Sequence, residues 1–191
     1  GLTCFGTSAT ACSATSSVYL FADCADLAEV ILPEGFSGVG GRVFQNCTSL
    51  TSFDFSGLTV IGTYAFQNSG LISAYIPAIT STSNLGAGAF KDCSALKSVT
   101  FEEGTLRLNN STFQNCTSLR EITLPQSITT LQGSVFRGCT LLEKVTINST
   151  LTTVGVYVFA ECSALSDVTI GEGTTILGNY MFMGCQALKT I

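Results

Sequence analysis

Histidine and tryptophan are absent from the 191 residues, and only eight Lys and Arg stand against thirteen Asp and Glu. Without imidazole, Ser-His-Asp and Cys-His nucleophilic catalysis are excluded, together with zinc sites that use histidine. Charged residues make up 11% of the chain, less than half the share of about 25% in an average soluble domain. A net charge of −5 with so few cations offers no electrostatic footprint for nucleic acid or for an anionic membrane surface. Long apolar runs are also missing. The most apolar stretch, Val18 to Leu32, is interrupted by Asp23, Asp26 and Glu29, so direct membrane insertion of this segment is not expected. The opening Gly1-Leu2-Thr3-Cys4-Phe5 has neither the basic nor the apolar region of a signal peptide and reads as a mature chain or a fragment.

What the chain does have is a period. The motif Phe-x-x-Cys-x-x-Leu recurs at Phe21, Phe44, Phe90, Phe113, Phe136, Phe159 and Phe182, with a variant at Phe66 in which Ser69 takes the cysteine place. Successive phenylalanines lie 23, 22, 24, 23, 23, 23 and 23 residues apart, giving eight copies. Three and five residues beyond each of the first seven Leu come apolar pairs such as Ile122/Leu124 and Val145/Ile147, whose alternation predicts a short strand with one buried face. Five residues before each Phe from the second copy on stands another aliphatic, for example Ile61 or Val154. Gly62, Gly86, Gly155 and Gly178 follow it and are expected in a tight turn of positive φ. Pro33, Pro77 and Pro125 each follow a strand directly, where they should end it without removing a needed donor. The Glu-Gly pairs at Glu34, Glu103 and Glu172 predict a recurring turn with Gly at positive φ.

A unit of this length cannot bury its own apolar face, and stacking one coil on the next solves that. The expected fold is an α/β-type repeat solenoid, a right-handed leucine-rich-repeat coil of about eight 23-residue repeats with a parallel sheet on its concave face. Residues 1–15 are expected to form an N-terminal cap or irregular repeat, and residues 16–191 the solenoid, open at its C-terminal end because the chain is a fragment or a partner covers it.

Two stretches, Ile61-Gly62-Thr63-Tyr64-Ala65-Phe66 and Cys116-Thr117-Ser118-Leu119-Arg120-Glu121-Ile122-Thr123-Leu124-Pro125, resemble the BspA-type (Treponema-like) leucine-rich repeat, and the resemblance runs through nearly the whole chain after residue 15. It implies surface-exposed or secreted proteins of bacteria and protist parasites, several of them associated with adhesion to host matrix proteins or to other cells. It supplies no catalytic residues, and no cofactor is expected.

Seven of the nine cysteines, Cys24, Cys47, Cys93, Cys116, Cys139, Cys162 and Cys185, share one phase of the repeat. Stacked equivalents would point their Cβ atoms in parallel, so a ladder of free, buried thiols is expected, with neither disulfides nor metal within it. Cys4 and Cys12 fall outside the ladder and are a candidate disulfide.

On the concave face the outward strand positions are the candidate binding residues: Ile31, Asp54, Ile72, Tyr75, Lys97, Thr100, Arg120, Glu121, Thr123, Lys144, Thr146 and Thr169. A threonine row also suits a strand for its own sake, and Arg120 and Glu143 on neighbouring coils can simply pair. Asn46, Asn109, Asn110, Asn115 and Asn148 head Asn-x-Ser/Thr sequons and are candidate N-glycosylation sites. The expected function is a non-enzymatic extracellular or cell-surface recognition module that binds protein or glycan. The alternative is a structural unit of a filament, surface layer or matrix in which neighbouring copies stack end to end.

Overall fold

The computed structural model describes residues 19–81, 84–148 and 150–191, together with the backbone of Cys4–Phe5. Its strands are β1 (Cys4–Phe5), β2 (Gly38–Val39), β3 (Val60–Ile61), β4 (Ser73–Ile76), β5 (Ser98–Phe101), β6 (Arg107–Leu108), β7 (Glu121–Leu124), β8 (Thr130–Leu131), β9 (Lys144–Ile147), β10 (Thr153–Val154) and β11 (Asp167–Ile170). All their pairings are parallel, and all but that of β1 join equivalent positions one repeat apart, as in Asp167↔Lys144 and Glu121↔Lys144. The result is a parallel β-solenoid of about six turns rather than the eight that the motif count predicts. Copies one, two and eight build no four-residue strand: residues 27–32, 51–55 and 188–191 are irregular.

The α/β expectation is corrected. No helix occurs among the described residues. The segment around each Phe, where a helix would have to sit, holds left-handed residues two positions before and two positions after it: Tyr64 (φ 56°) and Asn68 (φ 53°) flank Phe66, and Ser111 (φ 58°) and Asn115 (φ 60°) flank Phe113. Left-handed residues every four positions cannot propagate a right-handed helix. The segment instead bonds to the next coil, through Phe66 N–H to Ala89 O (2.8 Å), Phe90 to Thr112 (2.9 Å) and Phe136 to Val158 (2.8 Å).

The core is a column of phenylalanines. Phe44, Phe66, Phe90, Phe113, Phe136 and Phe159 are fully buried. Their centroids stand 5.3–5.5 Å apart with interplanar angles of 1–18°. With coils about 4.8 Å apart, each ring is displaced sideways by roughly 2.5 Å, the offset geometry that aromatic quadrupoles favour over a face-to-face sandwich. Strand aliphatics such as Ile122, Leu124, Val145 and Ile147 close the other side, each at 1% exposure or less.

Two local expectations are also corrected. Gly62, Gly86, Gly155 and Gly178 do not take positive φ. They are needed because a Cβ there would lie 2.4, 2.1, 2.5 and 2.0 Å from backbone atoms of the coil before, so only glycine allows the approach. Nor are the prolines neutral. The residue after a strand normally donates its N–H to the preceding coil, as Glu102 does to Ile76 O (2.8 Å), Asn148 to Leu124 O (3.3 Å) and Gly171 to Ile147 O (2.7 Å). Pro77 and Pro125 cannot donate. Both sheets of this face, β4-β5 and β7-β9-β11, start with the strand that runs into one of these prolines. The Glu-Gly turns do take positive φ, at Gly35 (75°), Gly104 (111°) and Gly173 (89°).

Candidate functional site

The four-residue strands turn alternate side chains inward, which leaves the others on one outer face. Register places Tyr75 beside Thr100, and Thr123, Thr146 and Thr169 in one row. Thr100, Thr123 and Thr169 are exposed and Thr146 is half-buried. Ile31, Ile72 and Tyr75 are large apolar or amphipathic side chains left at the surface, with Ile31 the most open at 86%. Lys97 and Asp54 are exposed as well. Asp54 accepts from Ser56 N–H (2.9 Å), and the bonds from Ser56, hydroxyl before amide, hold its carboxyl below the ordinary value. The Tyr75 hydroxyl bonds to Glu102, which raises its pKa above the usual phenol value.

Four of the charges on this face are spent on each other. Arg120 meets Glu143 at 2.5 Å and Lys144 meets Asp167 at 3.5 Å, all well exposed. Exposed pairs of this kind contribute about 0–1 kcal/mol each, so they fix register and neutralise the surface more than they stabilise it.

Between β5 and β7 no ladder forms, and a groove of about 440 Å³ runs along the two strands. Thr100, Glu121 and Thr123 from the sequence-based set line it, with Ser98, Val99, Phe101, Glu103, Pro125 and Asn148. The remaining candidates, Ile31, Asp54, Ile72, Tyr75, Lys97, Arg120, Lys144, Thr146 and Thr169, are not part of its lining. The groove itself was not foreseen from sequence, although Pro125 carries the signal for it. A second depression of about 360 Å³ lies against Leu32, Pro33, Phe36 and Asp54 in the first and second copies.

The thiol ladder has a role beyond filling space. Cys47, Cys93, Cys116, Cys139, Cys162 and Cys185 each direct Sγ to the carbonyl of the Phe one coil earlier, at 3.0–3.3 Å. All seven ladder cysteines are free. Burial raises the Cys47 and Cys93 pKa values to about 11 and that of Cys139 to about 12, and it pushes Cys116 and Cys162 up as well. Among the described residues no group of three or more His, Cys, Asp or Glu side chains could hold a metal ion. The pairing of Cys4 with Cys12 lies outside the described residues.

Three of the five sequon amides are already committed. Asn46 donates to Asp23 (2.7 Å), Asn115 to Asp92 (2.8 Å) and Asn109 to the Leu85 carbonyl. Asn110 keeps its Nδ2 outside such bonds while its Oδ1 accepts from Gly133 N–H (2.9 Å), and Asn148 is exposed.

Parallel coils, a phenylalanine spine and a one-sided short-strand sheet define a leucine-rich-repeat type of solenoid. The chain belongs to the BspA type leucine rich repeat region family, whose model matches residues 13–87 and 59–189 with six copies. It is similar to a leucine-rich repeat protein from Bacteroides ovatus, at 24% identity and a TM-score of 0.69, over 90% of this chain and 50% of that one. It is also similar to a leucine rich cell surface protein from Faecalibacterium prausnitzii, at 27% identity and a TM-score of 0.54, over 73% of this chain and 31% of that one. The chain thus spans half the length or less of both bacterial proteins. No curated protein sequence matches it significantly. No helix among the described residues is long and apolar enough to cross a membrane.

Proposed function

We propose that the protein is a non-enzymatic recognition module, displayed at or outside the cell surface, that engages protein or glycan through its four-residue strand face. The observation that carries this reading is the four-residue strand face itself, whose outward residues are released from coil building and which opens into a groove at the β5–β7 seam. Amphipathic Tyr75 with Ile31 and Ile72 supplies anchor area nearby, of the kind enriched where proteins meet partners. The cell-surface relative supports the location. Chemistry on a bound ligand is not part of the proposal, because no histidine is available to activate the hydroxyls of this face.

The test is binding of the purified chain to immobilised extracellular-matrix proteins and to a glycan array. A Tyr75→Ala/Arg120→Ala/Lys144→Ala variant should lose at least about tenfold in affinity, a step of 1.4 kcal/mol. Binding that survives these three changes would place recognition elsewhere on the molecule.

A further inference from the structure

We infer that the groove at the β5–β7 seam is a binding site for a neutral glycan. This rests on the reading of the strand face as a recognition surface and narrows it to one place and one ligand chemistry. Pro125 leaves Phe101 O without the amide donor that the equivalent carbonyls of Ile76, Leu124 and Ile147 receive. Where the ladder lapses, the core opens. Phe101 is half-buried, whereas its counterparts Ile76, Leu124 and Ile147 in neighbouring coils are fully buried. An aromatic ring held edge-on to Phe113 (88°, 6.0 Å) therefore stays partly open at the floor of the groove.

Around that apolar floor stand polar groups of one kind. The hydroxyls of Thr100 and Thr123, the Glu121 carboxylate and the Asn148 side-chain amide have no hydrogen-bond partner among the described residues and line the groove together. Glu103 is fixed in place, its two oxygens accepting from Gln126 N–H and Ser127 N–H at 3.2 Å each. An apolar floor with a few convergent polar groups is the usual makeup of a small-ligand site, and this volume lies within the ordinary range of about 300–1,000 Å³. Three coils contribute, a span of about 10 Å. No Lys or Arg lines the groove, so an anionic sugar or phosphate would meet two carboxylates and no cation. A basic peptide would find only Glu121 uncommitted. A neutral oligosaccharide fits both halves of the lining: its hydroxyls donate to Glu121 and exchange bonds with Thr100, Thr123 and Asn148, while its C–H face lies on Phe101.

Saturation-transfer NMR with maltotriose, mannotriose and chitotriose tests this, with a sulfated heparin disaccharide and a lysine-rich peptide run alongside. At least one neutral sugar should bind with a Kd of about 1 mM or tighter. Thr123→Trp, which fills the groove from an exposed position, should weaken it at least about tenfold, and Glu121→Gln should weaken it by a smaller factor. Ser94→Trp, at an exposed position beside the thiol ladder and outside the groove, should leave it unchanged. Thermal melts of each variant verify folding, and Glu121→Gln carries the test if Thr123→Trp does not fold. The inference is overturned if none of the three sugars binds, if only the sulfated sugar or the peptide binds, or if the groove variants do not weaken binding. If the inference fails while Tyr75-dependent binding to matrix proteins persists, the broader recognition reading still stands.

Discussion

The edge around each phenylalanine and the face of four-residue strands are built from the same repeat but follow different rules. Along the edge every coil bonds to the next without a gap, and Phe and left-handed residues recur in phase, with Cys in every copy but the one that carries Ser69. Along the strand face the ladder starts twice, and outward residues range from Ile31 to Thr169 with no fixed type. Coil building is thus concentrated in the edge, and this frees the face to vary. That division is what makes a repeat protein able to carry a site without losing its fold.

The largest effect should come from breaking the edge. Phe113→Ala removes one ring from the middle of the column and should cost about 3–5 kcal/mol, read as a fall in the denaturant midpoint. Gly155→Ala should cost about 1–3 kcal/mol, because the new Cβ would meet Gly133 N at 2.5 Å and neither backbone can give way easily.

Alkaline pH tests the thiol ladder. The buried Cys139 thiol has its pKa raised from 9.0 to about 12, so the unfolded chain loses this proton first. Stability from this source is therefore complete below about pH 9 and falls progressively as pH rises toward 12. An alkaline series of urea midpoints should show that decline, and a Cys139→Ala variant should show less of it. In the native state, iodoacetamide should label exposed Cys24 well before Cys116 or Cys139.

On the strand face the effects should be smaller. Arg120→Ala should change stability by no more than about 1 kcal/mol, given how open its pair with Glu143 is. Pro125→Ala would restore a donor worth about 0.5–1.5 kcal/mol while giving back about 0.4–1 kcal/mol of unfolded-chain freedom, so the midpoint should barely move. What should change is the exchange rate of the new amide, which gains protection if it bonds to Phe101 O.

Most of the edge was legible in the sequence, since the phase of Phe113, Cys116 and Leu119 fixes which side chains share the interior. The absence of helix was not legible as read, although the signal was there: Asp23, Asn46, Asn68, Asp92 and Asn115 are all of the types that tolerate left-handed backbone, in one column. The opposite column hides it, because Arg42, Tyr64, Tyr157 and Tyr180 take the same conformation without being residues that favour it. Stacking offsets that strain: Arg42 lies over Tyr64 at 4.9 Å, and Tyr157 stacks on Tyr180 at 5.0 Å. On the strand face the threonine row and the Arg120–Glu143 pair followed directly from period-two alternation. The seam did not, because it depends on which coil needs the proline's missing N–H, a relation between repeats rather than within one.

Native-state hydrogen exchange resolved by residue tests the division between edge and face most directly. The account predicts that the Phe90, Phe113 and Phe136 amides belong to the slowest class without interruption, whereas amides of β7, on the unpaired side of the seam, exchange faster than those of β9. Equal protection across β7 and β9, or a lapse in protection along the phenylalanine edge, would contradict it.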